Sequence, residues 1–217
     1  MIQPITDFQS WLAGQTITRK IDSLVLHHTY RPTTSQYDGA ATTEAIRKYH
    51  LSKGWRDIGY HVLVGPDGRI WPGRLLDWTG AHALVEKPDM LKLFGSTSYL
   101  NTFSVGVCAI GDYDSEEPSA LLVAVLREVL PALAQRFGIG EERLFFHRQV
   151  SATACPGKNF DPDTVRSWLK PEPAIAAWAA DSWRWAQTKG LIFGEPNSPV
   201  DRQALAAVLY RYDRVKA

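Results

Sequence analysis

The chain has 217 residues with 24 Lys and Arg against 23 Asp and Glu, and a net charge of +1 lacks the basic footprint that nucleic-acid binding needs. With 45% hydrophobic and 22% charged residues, it is neither disordered nor membranous in composition and can bury one medium core plus a small appendage. Two cysteines, Cys108 and Cys155, are too few for a disulfide framework, which leaves one bridge, two free thiols or metal ligation.

The N-terminus has neither the basic region nor the apolar run of a signal peptide, and no stretch reaches the roughly 18 apolar residues of a membrane span. The expectation is synthesis in the cytoplasm, with no membrane and no nucleic acid as partner. Residues 1–20 read as a polar arm. Leu24-Val25-Leu26 is a short apolar run suited to the middle of a sheet covered on both faces, and it ends at His27-His28-Thr29. Thr42, Thr43 and Glu44 open a helix over 42–52, closed by Gly54. Tyr60 to Val64 reads as a strand, Gly65-Pro66-Asp67-Gly68 as a turn and Arg69-Ile70-Trp71 as the hairpin partner. Val105 to Ile110 reads as a further buried strand.

From Pro118 to Phe137, apolar residues recur at helical spacing, predicting one long amphipathic helix kinked at Pro131. Leu144 to His147 reads as a last core strand and Pro162 to Leu169 as a closing helix. Strands and helices interleave, so the fold class is α/β, a central mixed sheet flanked by helices. Pro171-Glu172-Pro173 marks a boundary before a small C-terminal helical module, with helices expected over 174–189 and 200–212. The expected organisation is an arm over 1–20, a main domain over 21–170 and a tail over 171–217.

Metal-binding side chains fall at element ends: His27 after the first core strand, His147 after the last, and Cys155 eight residues further on. Strand ends of an α/β sheet are where sites are assembled, and the small residues between His147 and Cys155 let the chain turn back. Two nitrogens and one sulfur suit zinc, and three protein ligands leave the fourth position open for catalysis. Read singly, each histidine is more often a packed core residue, and a lone Cys a small buried hydrophobe. His27 and His28 cannot both face one pocket, because neighbouring strand residues point to opposite faces. The same alternation separates Tyr60 from His61.

Six ordered motifs then carry a resemblance: Leu26-His27-His28-Thr29, Gly54 through His61, Gly68 through Arg74, Gly80-Ala81-His82-Ala83, Ser104-Val105-Gly106-Val107 and His147 through Gly157. Over about 21–168 the chain resembles the zinc-dependent N-acetylmuramoyl-L-alanine amidases of type 2, which include phage endolysins and peptidoglycan recognition proteins. The resemblance implies one Zn2+ held by His27, His147 and Cys155, with Tyr60 and Thr153 as catalytic donors. Many phage members carry Lys where Thr153 stands, so a neutral hydroxyl replaces an ammonium here. It further implies peptidoglycan as substrate, with His28, His61, Arg74, His82 and Asn101 as groove residues. Arg74 would grip stem-peptide carboxylates, with a solvated surface charge as the plain alternative. Trp71 and Trp78 could line a sugar face or fill the core. No Asp or Glu in the motifs is an obvious general base, and Cys108 reads as a core residue.

The run from Trp178 to Gly194 and the segment after Pro199 resemble a single S-layer-homology-type motif, implying wall attachment or a homodimer through the C-terminal helices. The leading expectation is an endolysin that cleaves the amide between the lactyl group of N-acetylmuramic acid and L-alanine, acting on the wall after release or lysis. The alternatives are a non-catalytic peptidoglycan-binding recognition protein, or a cytoplasmic amidase that recycles soluble muropeptides.

Overall fold

The computed structural model describes residues 3–170; the two helices and the S-layer-homology-like motif expected beyond Lys170 lie outside the described residues. Five strands form one mixed sheet: β1 (Ser23–His28), β2 (Val62–Val64), β3 (Ile70–Pro72), β4 (Ser104–Ala109) and β5 (Leu144–Phe146). Their order is β3-β2-β4-β1-β5. β1 runs parallel to both β4 and β5, β2 runs parallel to β4, and the β2–β3 hairpin is antiparallel. The central strands β1 and β4 are buried along their whole length, because the sheet is covered on both faces; the polar Ser23, His27, His28 and Ser104 are enclosed with the apolar residues between them.

The expected strand over Tyr60–Val64 is regular only from Val62, yet Tyr60 and His61 still accept backbone bonds from Arg74 and Gly73. The helix expected over 42–52 begins earlier, as α2 (Gly39–Ser52). The long helix, α5 (Ala120–Phe137), is capped by the Ser119 hydroxyl accepting from the Leu122 amide and closed by Gly138 at φ +66. It continues through Pro131.

The polar arm is corrected by the structure. Phe8 and Leu12, four apart on α1 (Phe8–Ala13), present one apolar edge and are buried in the main core with β1 and α5. Ile5 adds a bridge to Ile70. Arg19 donates to the backbone carbonyls of Leu76, Thr102 and Ser104. The charged and polar side chains around these few anchors hid a segment that belongs to the core.

Between His82 and β4 the chain forms α3 (Pro88–Phe94) and α4 (Tyr99–Phe103), neither of which the sequence pattern announced. Neither completes two turns, too few for an apolar periodicity to repeat. Their Phe94 and Leu100 join Val25, Phe145 and Val150 in a second core on the opposite face of the sheet. Two further short α-helices among the described residues are α6 (His147–Val150) and α7 (Pro162–Ser167).

Candidate metal centre and active site

Parallel pairing of β1 with β5, Leu26 opposite Phe146, carries His27 and His147 out of the sheet side by side. His147 is the first residue of α6 and not the last of β5, so the chain turns at the ligand itself. Their ring centroids are 4.6 Å apart. Arg148 closes the loop that follows. Its amide donates to the Cys155 carbonyl at 2.6 Å, and its guanidinium donates to the carbonyls of Gly157 and Phe160 at 2.6 and 2.7 Å. Arg148 was not singled out from the sequence; nothing local distinguishes an Arg that ties a loop from one in solvent.

The loop returns Cys155 to the end of β1. Its Sγ lies 3.7 Å from His27 Nδ1 and accepts from the His28 backbone N–H at 3.3 Å. One nitrogen each from His27 and His147 and the Cys155 sulfur all lie within 4.8 Å of one another. A tetrahedral zinc with two nitrogens and one sulfur needs donor separations of roughly 3.3–3.6 Å, so the donor set fits that ion in chemistry and nearly in position. Both cysteines are free thiols, and Cys108 lies fully buried in β4 beside His27.

Burial, reinforced by the other histidines, holds His27 well below the usual imidazole range. Burial also pulls His147 down to about 4, although the Glu86 carboxylate works the other way. Both rings are therefore neutral and able to ligate at pH 7. Burial pushes the Cys155 thiol up to about 12, opposed by the His28 amide and Arg148. Burial, with Cys108 and Cys155 nearby, holds the Tyr60 phenol well above its ordinary value. Tyr60 is thus a permanent donor, its ring 5.1 Å from that of His27.

Two clefts lie near this cluster, the first bordered by Tyr60 and the second by the ligand candidate His147. One, of about 710 Å³, runs between Tyr60, His50 and Tyr49 on one side and Thr29, Tyr30 and Arg31 on the other. The second, of about 420 Å³, is lined by His147, Thr153, His82, Trp55, Glu86 and Asn101. Thr153 also accepts from the Cys155 amide at 3.2 Å.

The strand alternation sends His28 the other way. Its Nδ1 accepts from the Tyr113 amide at 3.1 Å, away from the clefts. His61 is fully buried, accepting from the Gly106 amide at Nδ1 and meeting the Trp78 carbonyl at Nε2. Arg74, only 7% exposed, donates to the carbonyls of Ile58, Thr79 and Asp57. Of the expected groove residues, these three line neither cleft: each is enclosed and bonded to backbone groups. Trp71 is in the core and donates to the Tyr37 hydroxyl, while Arg56 stacks on Trp78 with 3.3 Å to the ring centroid. Asn101 lines the second cleft, but its side-chain oxygen accepts from the amides of His82 and Ala83. His82 lies against His27 itself, with His27 Nε2 and His82 Nδ1 3.0 Å apart.

The family model described as N-acetylmuramoyl-L-alanine amidase matches residues 17–158, a span that takes in all three donors. The chain belongs to this amidase family. Human N-acetylmuramoyl-L-alanine amidase is 34% identical over 163 residues, covering 70% of this chain and 26% of that protein. The chain thus spans about a quarter of the length of the mammalian relatives it matches. Peptidoglycan-recognition protein SC1a of Drosophila melanogaster is 30% identical, covering 73% of this chain and 78% of that protein. Among solved structures, the endolysin amidase LysCS of Clostridium intestinale superposes with a TM-score of 0.55 at 26% identity, covering 70% of this chain and 84% of that one. Drosophila PGRP-LB superposes at 0.56 and 28% identity, covering 75% and 89%.

Proposed function

We propose that this member of the amidase family is a zinc-dependent peptidoglycan hydrolase that cleaves the amide between the lactyl group of N-acetylmuramic acid and the L-alanine of the stem peptide. The observation that carries the reading is the convergence of His27, His147 and Cys155, with His147 lining a cleft, beside a protonated Tyr60. A solved relative, a mutant of Drosophila PGRP-LB, is described in complex with tracheal cytotoxin, which supports a muropeptide as the ligand class. The likeness to LysC-type enzymes supports a lytic, endolysin-type role on the wall. The complete donor set favours hydrolysis over recognition alone.

Zinc held by these three residues would supply Lewis-acid polarisation of the scissile carbonyl and an acidified water. The chain's own residues do the rest. The two neutral imidazoles remain ligands through the cycle, because their burial opposes protonation. Tyr60 donates its phenolic proton in a hydrogen bond to the carbonyl oxygen as charge develops there, and Thr153 offers a second donor from the other cleft. Hydrolysis adds the elements of water across the C–N bond, leaving a lactyl carboxylate on the glycan and a free amine on L-alanine. Residues 171–217 anchor the enzyme to insoluble wall.

The test is metal analysis together with mass spectrometry of products from purified peptidoglycan. About one zinc per chain and peptides with a new L-alanine terminus are expected, with Cys155→Ser losing both. A fully active metal-free protein overturns the reading. Co-sedimentation with sacculi by the full chain, and its loss when the chain stops at Lys170, tests the anchor.

A further inference from the structure

His82 borders the second cleft, and its surroundings fix both its backbone and its ring. The Asn101 side-chain oxygen takes the amides of both His82 and Ala83 at 2.8 and 2.9 Å, fixing the backbone. The ring lies in a slot between Gly80 and Gly106, where a Cβ at either position would run into it. His61 secures one wall of that slot by accepting the Gly106 amide at 2.9 Å.

The direction of every hydrogen bond through the ring follows from one acceptor. The Leu100 carbonyl can only accept, so the Ser104 hydroxyl proton points to it. The Ser104 oxygen then accepts from His82 Nε2–H, across 3.4 Å. A neutral imidazole protonated at Nε2 has its lone pair at Nδ1, and this faces His27 Nε2 at 3.0 Å, so His27 is the donor of that bond. His27 therefore carries its proton on Nε2 and its lone pair on Nδ1, the nitrogen 3.7 Å from Cys155 Sγ.

We infer that His82 is a positioning residue which, backed by Ser104, sets the tautomer and ring orientation of His27 so that Nδ1 is the metal donor. The inference rests on the metal-site reading above. Outer partners of this kind typically change metal affinity about 10–100-fold when removed. The glycines belong to the same device: Gly106→Ala evicts the ring without touching any ligand.

Two measurements test it. In the metal-free wild-type chain, nitrogen NMR of the histidines should show His27 protonated at Nε2 and bare at Nδ1; the opposite tautomer overturns the inference whatever the variants do. Zinc affinity, measured by competition with a chromogenic chelator, should fall about 10–100-fold in His82→Leu and recover in part in His82→Asn, whose amide oxygen can accept from His27. Affinity unchanged in His82→Leu also overturns it. If the wild-type chain itself takes up no zinc, it is the metal-site reading that fails, and the NMR result still decides the tautomer.

Discussion

The Sγ of Cys155 accepts a hydrogen bond from the backbone N–H of His28 at 3.3 Å, although the two residues stand 127 positions apart. The end of β1 therefore serves the centre twice: His27 contributes a ring nitrogen, and the next peptide unit orients the sulfur. A backbone donor aimed at sulfur favours the thiolate that a metal requires.

That thiol sets the pH dependence of metal uptake. With Cys155 pushed up to about 12, and His147 down at about 4, only the sulfur must lose a proton when zinc binds between about pH 5.5 and 6.5. Apparent zinc affinity should rise about tenfold per pH unit across this window. Chelator competition at three pH values checks this; a flat profile would show that the thiol is already ionised.

Tyr60 is expected to act on the reaction and not on the metal. Tyr60→Phe should slow amide cleavage about 100-fold while zinc content stays at the wild-type value. Because burial holds the phenol well above its ordinary range, no loss of activity between pH 7 and 9 should trace to Tyr60. Turnover by the variant at the wild-type rate removes it from the mechanism.

Arg74 is expected to report on stability and not on substrate. Arg74→Gln leaves three inward carbonyls without their charged donor, which should lower unfolding stability by about 3 kcal/mol. Urea denaturation measures it. A variant with unchanged stability and a raised KM would restore Arg74 to the groove.

His61 makes the fold sensitive to acid. Burial, helped by Arg19, pulls it down to about 3, against an ordinary value near 6.5 in the unfolded chain. Below pH 6.5 the unfolded state gains a proton that the folded state refuses until about pH 3, so stability falls as pH falls through that window. The contribution of His61 is about 1.4 kcal/mol per pH unit, and nothing from it appears above about pH 6.5. His27 and His147 add to the same acid loss, so the His61 share is read by difference: between pH 6.5 and 5.5 the denaturation midpoint, with EDTA present, should drop less in His61→Gln than in the wild type.

Much of the sheet was legible because β1, β4 and β5 each hold a short apolar stretch, and α5 because eighteen residues show several helical periods. α3 and α4 were not, since neither completes two turns and their burial depends on Phe145 and Val25 from elsewhere in the chain. The donor trio was legible from residue type and from its place at element ends. What Arg74 and His61 meet was not legible, because a motif marks that a residue matters without saying what its polar atoms touch, whereas strand alternation already separated His28 from His27.

The order of residues along the chain is enough to establish the chemistry on offer: two imidazoles and a thiol at strand ends, in a motif order that belongs to one amidase family, with too little net charge to bind by bulk electrostatics. Those are properties of side-chain type and succession. It took the folded arrangement to show that Phe8 and Leu12 sit in the core, that Arg74 braces backbone, and that His27 presents Nδ1 because Leu100, Ser104 and His82 stand in line behind it. Hydrogen-bond direction and burial depend on which groups meet across space, and those partners include pairs 16 and 55 residues apart along the chain.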